Sequence, residues 1–392
     1  MRILYVSHKP IYPKTDGGCV AMANFLELLL SSNNEVKHLT ISTNKHPFDS
    51  ASYPKAIVDA THLEAVYINT DVKPLKALFA LFKSNSYNVS RFYSEEMNAK
   101  LITTLKDNSF DVIILESLFS TACLASIRAN FKGKVYIRSH NVEHQIWEDL
   151  ALNCRNWLKR SYFKKLANDL KHFELETIAQ VDGTMTISED DAEFFRKNTS
   201  SVLIKTIPFT VELDEQLTND YSASNIFLLG GMDWEPNKLA AKRLIGLFPL
   251  LKEQKSEIEL TLIGKGTKKL NTNNTSIHLQ GFVTDLPQFC VSAGILACPL
   301  TSGSGIRIKI LEMMALGIPV ITTSKGAQGI HYNGKNCIFI ANSDEEIIEA
   351  CIKLSSDAKL RKEIGTNARK SIATYHSPSI VSQQLNEFLQ FK

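Results

Sequence analysis

The sequence lacks any apolar run long enough to span a membrane. A membrane-spanning helix needs about 18 or more consecutive apolar residues, and every apolar segment of this 392-residue chain is shorter than that. The first ten residues, MRILYVSHKP, hold one Arg and a short apolar run before a polar loop, unlike a secretory signal peptide. We therefore expect a cytoplasmic protein without a membrane-spanning helix.

The chain also lacks a charge excess and paired cysteines. Its 44 Lys and Arg nearly balance its 41 Asp and Glu, and the formal net charge of +3 is too small to imply a nucleic-acid partner. The 7 cysteines are scattered without a Cys-x-x-Cys spacing, which argues against a zinc site and a disulfide framework. We interpret them as reduced thiols.

Short apolar runs alternate with helical patterns along the whole chain, which is long enough for two domains of about 150–200 residues. Strands alternating with helices are typical of parallel sheets covered on both faces. The clearest helical spacing falls at 20–30, 237–251, 307–316, 344–354 and 358–373. The predicted strands are 3–7, 35–41, 64–68, 111–116, 134–138, 182–187, 202–207, 226–230, 257–263, 276–282, 295–300, 319–323 and 336–340.

The pattern pauses once, at the polar stretch 212–224, which we interpret as a linker. The sequence thus predicts an N-terminal domain at 1–211, a C-terminal domain at 225–374, and a last helix at 375–392 that packs back on the N-terminal domain. Ligands of doubly wound sheets bind at the carboxyl ends of the strands, and pockets favour domain interfaces. We expect the site in a cleft between the two domains.

A glycine turn, Gly303-Ser304-Gly305, connects a predicted buried strand to a helix. Backbone N–H groups at such a turn and the positive end of the helix dipole suit a phosphate. Arg307 and Lys309 place two cations in the first turn, where they are unfavourable unless an anion compensates them. The spacing fits neither a dinucleotide fingerprint nor a P-loop. The alternative is an ordinary turn with solvated basic residues.

Residues 303–320, GSGIRIKILEMMALGIPV, resemble the donor-binding motif of glycosyltransferase family 4, whose members are retaining GT-B enzymes that use nucleotide sugars. Residues 230–240 (GGMDWEPNKLA) and 138–147 (RSHNVEHQIW) are similar to other segments of that family. The resemblance implies a GT-B fold, with two Rossmann-like domains facing across a cleft. It also implies transfer of a hexose from a nucleotide diphosphate sugar to a glycan, lipid-linked or protein-linked acceptor in envelope polysaccharide or glycoconjugate synthesis. It implies neither a catalytic metal nor a cofactor.

The resemblance assigns donor-binding roles in the second domain. Glu312 matches the glutamate that binds the nucleotide ribose, although its spacing from Lys309 also fits a helix salt bridge. Ser304 stands where most members have a sugar-binding glutamate, so sugar recognition is expected from the backbone of Gly305 and Ile306.

A departing diphosphate needs positive charge, which the protein must supply if no metal does. Arg307 and Lys309 are the expected catalytic cations. Lys238 is a further donor-binding candidate, or a solvated helix lysine; the Arg-like position of the same loop holds Met232.

In the first domain the resemblance points to residues near strand ends. Gly17 and Gly18 match glycines that approach the donor phosphate and the acceptor, or they form a plain turn before a helix. His140 matches a histidine beside the transferred sugar and is the expected catalytic residue of this domain. The acceptor-side candidates are Glu116, as a base or a cap, with Asn141 and Glu143.

Two basic segments with apolar and aromatic residues, 72–83 and 155–165, fit either core helices with solvated lysines or contact with an anionic membrane that carries the acceptor. Asp190 and Asp191 after Ser188 are interpreted as the acidic first turn of a helix rather than a metal motif. Ser304 and Met232 leave one other function open, a non-catalytic GT-B partner subunit that binds a nucleotide sugar.

Overall fold

The computed structural model describes residues 1–71, 86–199, 203–214, 217, 219, 221–303, 305–332 and 336–391. Their contacts divide the chain into two compact units. The first unit comprises Met1–Phe209 and Ser382–Lys392, and the second comprises Thr210–Val381. The predicted linker therefore lies in the second unit, and the last helix crosses from the second unit into the first.

The first unit is built on a parallel seven-stranded sheet with the order β3-β2-β1-β4-β5-β6-β7. Its central strands are almost entirely buried, because their apolar runs are covered on both faces. The strands are β1 Arg2–Ser7, β2 Glu35–Ser42, β3 Glu64–Tyr67, β4 Val112–Glu116, β5 Lys134–Ser139, β6 Gly183–Thr186 and β7 Leu203–Thr206.

Helices connect these strands, and polar side chains cap several of them. Asp16 accepts a hydrogen bond from the Cys19 N–H at 2.8 Å, and Ser188 accepts one from the Asp191 N–H at 3.1 Å. The acidic first turn predicted after Ser188 is confirmed. The described helices of this unit are α1 Gly17–Ser31, α2 Lys55–Thr61, α3 Tyr87–Ser90, α4 Glu95–Asp107, α5 Leu124–Asn130, α6 Glu143–Leu152, α7 Trp157–Gln180 and α8 Glu189–Asn198.

The second unit is built on a parallel six-stranded sheet with the order β10-β9-β8-β11-β12-β13. Its strands are β8 Ile226–Leu229, β9 Leu260–Ile263, β10 Ile277–Gly281, β11 Ile295–Cys298, β12 Val320–Thr322 and β13 Phe339–Ile340. The described helices that begin in this unit are α9 Glu235–Gln254, α10 Leu286–Ala293, α11 Ile308–Ala315, α12 Asp344–Ser356, α13 Ala358–Tyr375 and α14 Pro378–Leu389.

The prediction of two doubly wound parallel-sheet domains is confirmed, and every predicted strand overlaps an observed one. Strand order reverses between β1 and β4 in the first sheet and between β8 and β11 in the second. Side chains and loops at the carboxyl ends of these strand pairs face the crevice where such sheets bind ligands. These two places are therefore the candidate binding regions.

Candidate active site

In the second unit, a lysine from α11 reaches across the crevice between β8 and β11. The Lys309 ammonium donates to the Leu229 carbonyl at the end of β8 and to Oδ1 of Asn237 in α9, both at 2.7 Å. Asn237 is buried, and its amide donates to the Gly231 carbonyl at 3.0 Å. These contacts fix a cation beside two glycine-containing loops.

The Lys309–Glu312 salt bridge left open by the spacing is not formed, because the Lys309 ammonium turns to β8 and α9 instead. Glu312 remains an exposed residue on α11. Desolvation by the surrounding protein raises the pKa of its carboxyl. Its carboxylate is therefore available to accept hydrogen bonds from a ligand.

Arg307 lies immediately before α11, so the expectation that it belongs to the first turn is wrong by one residue. The side chain is buried, and its guanidinium donates to the Gly305 carbonyl. It also lies over the ring of Trp234, 5.5 Å from the ring centroid. Burial lowers the pKa of Arg307. The arginine thus ties the glycine turn to the loop before α9.

The turn itself requires glycine at position 303. Gly303 has a φ of +102°, and a Cβ there would lie 2.8 Å from the Trp234 ring. Gly305 also has a positive φ, and Ile306 is half-buried. Ser304 lies outside the described residues.

Lys238 lies in the first turn of α9, about two-fifths exposed, with its ammonium 3.6 Å from Glu235. Met232 is buried, and its N–H donates to the Lys265 carbonyl at 2.8 Å.

The first unit brings Glu116 and His140 together at the ends of β4 and β5. Glu116 is fully buried, and one of its oxygens accepts hydrogen bonds from Arg138 at 2.6 Å and from the His140 imidazole. Its other oxygen accepts a hydrogen bond from the Tyr5 hydroxyl at 2.7 Å. Burial alone would raise the pKa of Glu116, but Arg138, His140 and Tyr5 together lower it to about 2. The carboxylate therefore stays ionised.

Glu143 is the first residue of α6, and its backbone is hydrogen-bonded to a glutamate of α7. Its N–H donates to the Glu174 carboxylate at 2.9 Å, and the neighbouring His144 ring pairs with the same carboxylate at 2.6 Å. Burial and the charge of Glu174 raise the pKa of Glu143 to about 8. Asn141 lies in the turn between β5 and α6, where its carbonyl accepts from Ser139 Oγ at 2.7 Å.

Gly17 is exposed at the start of α1, and a Cβ there would meet nothing within 4 Å. Gly18 lies close to Lys9, whose ammonium pairs with Asp16 at 2.7 Å. The open start of α1 leaves room for a ligand to approach the backbone.

Sequence reasoning missed the residues that hold these groups in place. Arg138 carried a usable signal, because a charged residue inside an otherwise apolar strand must find a buried partner. Asn237, Trp234, Tyr5 and Glu174 gave none, since each acts through a contact distant in sequence.

The two regions differ in what they can do chemically. The β8–β11 crevice offers two cations and glycine backbone, which suit an anionic ligand. The ends of β4 and β5 offer an imidazole beside a buried carboxylate, which suits hydrogen bonding to hydroxyl groups. Within the described residues, no group of three or more His, Cys, Asp or Glu side chains is arranged to hold a metal ion. None of the described helices is long and apolar enough to cross a bilayer.

Comparison with known proteins finds a family match in the second unit. Residues 223–357 match the family described as Glycosyl transferases group 1. Among curated proteins, an uncharacterized 44.6 kDa protein in the cps region of Klebsiella pneumoniae is 23% identical, with 98% of this chain and 99% of that protein covered. The capsular polysaccharide biosynthesis glycosyltransferase CapM of Staphylococcus aureus is 32% identical over 125 residues, which cover 30% of this chain and 33% of CapM.

Solved structures match the whole fold. HepE of Anabaena in complex with UDP has a TM-score of 0.67 and 14% identity, with 99% of both chains covered. TarM of S. aureus has a TM-score of 0.70 and 12% identity, with 100% of this chain and 99% of TarM covered. At these identities the similarity establishes the fold, and the family match lies within the second unit. The chain therefore has the GT-B fold, and its residues 223–357 match the group 1 glycosyltransferases.

Proposed function

We propose that this protein is a retaining hexosyltransferase. It moves a sugar from a nucleoside diphosphate sugar to a glycan, lipid-linked or protein-linked acceptor in envelope polysaccharide or glycoconjugate synthesis, without a catalytic metal. The observation that carries the proposal is the Lys309 ammonium, held by two 2.7 Å hydrogen bonds at the point where the second sheet reverses its strand order. A fixed cation there stabilises a departing diphosphate.

The donor binds along the second unit's crevice. Gly303, Gly305 and Ile306 supply backbone N–H groups, Ser304 is a further donor-binding candidate from the sequence, and Arg307 and Lys309 supply charge. Glu312 accepts hydrogen bonds from the vicinal ribose hydroxyls, since its carboxylate is exposed and unpaired by Lys309. Lys238, at the start of α9, is the remaining cation for the phosphates. Uridine diphosphate is the first nucleotide to test, because HepE binds UDP.

The acceptor and the transferred sugar meet the residues of the first unit. His140 contacts the sugar, while Asn141 and Glu143 lie on the acceptor side and Gly17 and Gly18 leave room for the donor phosphate. The acceptor hydroxyl attacks the anomeric carbon on the face that the nucleotide leaves, so configuration is retained. The leaving phosphate takes the acceptor proton.

Nucleotide binding is the first test. At about 100 times Kd, a ligand that binds only the folded protein stabilises it by about 2.7 kcal/mol. We expect UDP or a UDP-sugar to raise the melting temperature without magnesium, and Glu312→Ala and Arg307→Ala to abolish the shift. The control is Glu253→Ala, which removes an exposed carboxylate of α9 and should leave the shift intact.

Absence of a shift with every nucleoside diphosphate and nucleotide sugar would contradict the proposed donor site. A shift without hydrolysis of the nucleotide sugar, with or without acceptor, would favour the alternative of a non-catalytic nucleotide-sugar-binding subunit.

The proposal includes peripheral contact with an anionic membrane surface. The corner between α6 and α7 exposes Leu152, Trp157 and Leu158, with exposed fractions of 72%, 73% and 59%. Exposed basic residues surround them, namely Arg155, Lys159, Arg160 and Lys164. Apolar side chains among basic ones match the interface of an anionic bilayer. The other basic segment, 72–83, lies outside the described residues.

Sedimentation with lipid vesicles tests this contact. We expect binding to vesicles rich in phosphatidylglycerol, weak binding to phosphatidylcholine vesicles, and a loss of binding in high salt because screening weakens surface charges. Trp157→Ser with Leu158→Ser should lower the bound fraction several-fold. Phe282→Ser removes an even more exposed aromatic ring from the second unit and should have no effect. Equal losses for both variants, or no binding to anionic vesicles, would contradict the proposed surface.

A further inference from the structure

A buried carboxylate lies directly behind His140. Glu116 has no exposed surface, while the His140 side chain is 12% exposed. The register of the first sheet places Ser7 of β1 and Arg138 of β5 beside Glu116 on either side. Glu116 is thus fixed between two neighbouring strands, and His140 is the member of the group that reaches the surface.

Two further contacts immobilise this carboxylate. The Arg138 guanidinium lies 4.3 Å from the centroid of the Phe25 ring of α1, so it is held by an apolar face as well as by its ion pair. The Tyr5 hydroxyl occupies the second oxygen at 2.7 Å. Both oxygens of Glu116 accept hydrogen bonds and neither is exposed, so the carboxylate is poorly placed to act as an acceptor-side base.

The ionised carboxylate dictates the position of a proton on His140. A carboxylate only accepts hydrogen bonds, so the contact between Glu116 and Nε2 of His140 requires Nε2 to carry hydrogen. No hydrogen bond within the described part of the chain reaches Nδ1. The neutral ring therefore presents an unprotonated Nδ1.

The other charged and titratable groups around His140 are consistent with the Nε2–H tautomer. The Arg138 guanidinium, on the same strand, lies 3.2 Å from Nε2 and could donate only to an unprotonated nitrogen. The Glu116 oxygen lies closer to Nε2 and can only accept, so the hydrogen on Nε2 is favoured and Arg138 donates to Glu116 instead. His8, after β1, donates to the Glu116 carbonyl at 3.2 Å. Burial, followed by the charges of Lys9 and His140, lowers the pKa of His8 to about 3, so it adds no charge near pH 7.

We infer that Glu116 is a positioning residue, which fixes His140 as the Nε2–H tautomer and leaves Nδ1 to accept a hydrogen bond from a hydroxyl group of the bound sugar or acceptor. Arg138 and Tyr5 hold Glu116 in place. This inference rests on the proposed transferase function for its substrate, but the tautomer itself does not depend on turnover.

The direct test is ¹⁵N NMR of the intact protein labelled in its histidine side chains, recorded at alkaline pH, where imidazoles are neutral. A His140→Gln variant identifies the His140 signals. The inference predicts the Nε2–H pattern for wild type and a mixture of tautomers for Glu116→Gln, since a glutamine amide can either accept from Nε2 or donate to it. Glu116→Asp keeps a carboxylate and should keep part of the Nε2–H preference.

Glu174→Gln is the matched control. It alters a second buried Glu–His pair, Glu174 with His144 at 2.6 Å, without touching His140. Its His140 signals should match those of wild type even if its stability falls. A wild-type Nδ1–H tautomer, or an unchanged tautomer in Glu116→Gln, would overturn the inference. The wild-type spectrum decides the question even if Glu116→Gln fails to fold.

Kinetics provide a second readout once a donor and acceptor are known. Glu116→Gln should lower kcat by about tenfold, which corresponds to about 1.4 kcal/mol and is the scale of one hydrogen bond, with little change in the donor KM. In a His140→Ala background the same substitution should have almost no further effect on kcat. Independent, multiplicative losses would contradict a role through His140. Absence of any transferase activity would count against the proposed function while leaving the tautomer result to stand.

Discussion

Arg138→Met is expected to lower the free energy of unfolding of the first unit by about 3–5 kcal/mol, because it leaves the Glu116 charge buried without its cation. The two side chains are 1% and 0% exposed, and they lie 2.6 Å apart. Methionine has a similar length and keeps the apolar contact with Phe25. The measurement is urea denaturation followed by far-UV circular dichroism.

The stability lost in Arg138→Met should depend on pH in a defined direction. The pKa of Glu116 is about 2 in the folded protein against a usual value of 4.5. A lowered pKa contributes stability that is present above 4.5 and lost as pH falls from 4.5 to about 2. The difference between wild type and Arg138→Met should therefore be largest near neutral pH and shrink in acid. The double variant Arg138→Met with Glu116→Gln should be more stable than Arg138→Met alone. A pH-independent loss, or additive losses, would contradict the importance of the ion pair.

Lys309→Met is expected to reduce kcat by about 10²–10³-fold, which is the usual effect of removing one preorganised group that stabilises developing negative charge. The residue is anchored by the Leu229 carbonyl and Asn237, so its ammonium needs no rearrangement when the diphosphate departs. Initial rates at saturating nucleotide sugar measure the effect.

Two other lysines make this test specific. Lys242 is exposed on α9, so Lys242→Met should leave kcat unchanged. A larger loss for Lys238→Met than for Lys309→Met would move the main phosphate contact to α9 and contradict the assignment. Lys309→Met also leaves two buried acceptors without a donor, at a cost of about 1–3 kcal/mol. Rates should therefore be compared well below the melting temperature of the variant.

The strands of both sheets were predictable because buried parallel strands appear as short apolar runs between polar turns. The helix boundaries were nearly as clear. The error at Arg307 arose because its backbone, with φ −92° and ψ 80°, is not helical. Parallel packing also explains why strand-end residues such as Glu116 and His140 could be chosen as candidates.

Their partners were not predictable in the same way. The spacing of Lys309 and Glu312 suggested a local pair, but a hydrogen bond from Lys309 to Asn237, 72 residues away in sequence, competes successfully for the ammonium. Similarly, Tyr5 and Glu116 meet only because β1 and β4 are neighbours in the sheet. Local periodicity contains no information on which strands pair, so the roles of these residues had to come from the fold.

The return of α14 to the first unit affects the order in which the protein can be completed during synthesis. Phe388 is fully buried, with its ring 4.8 Å from that of Tyr136 on β5, and Ser382 contacts Ser32 at 2.8 Å. A ribosome that has finished residues 1–209 has therefore not yet supplied all of the first unit's packing. The nascent N-terminal portion is translated first, but part of its apolar surface stays exposed until the last residues emerge from the ribosome. A stop codon shortly before residue 382 should consequently damage the half of the protein farthest from it in sequence.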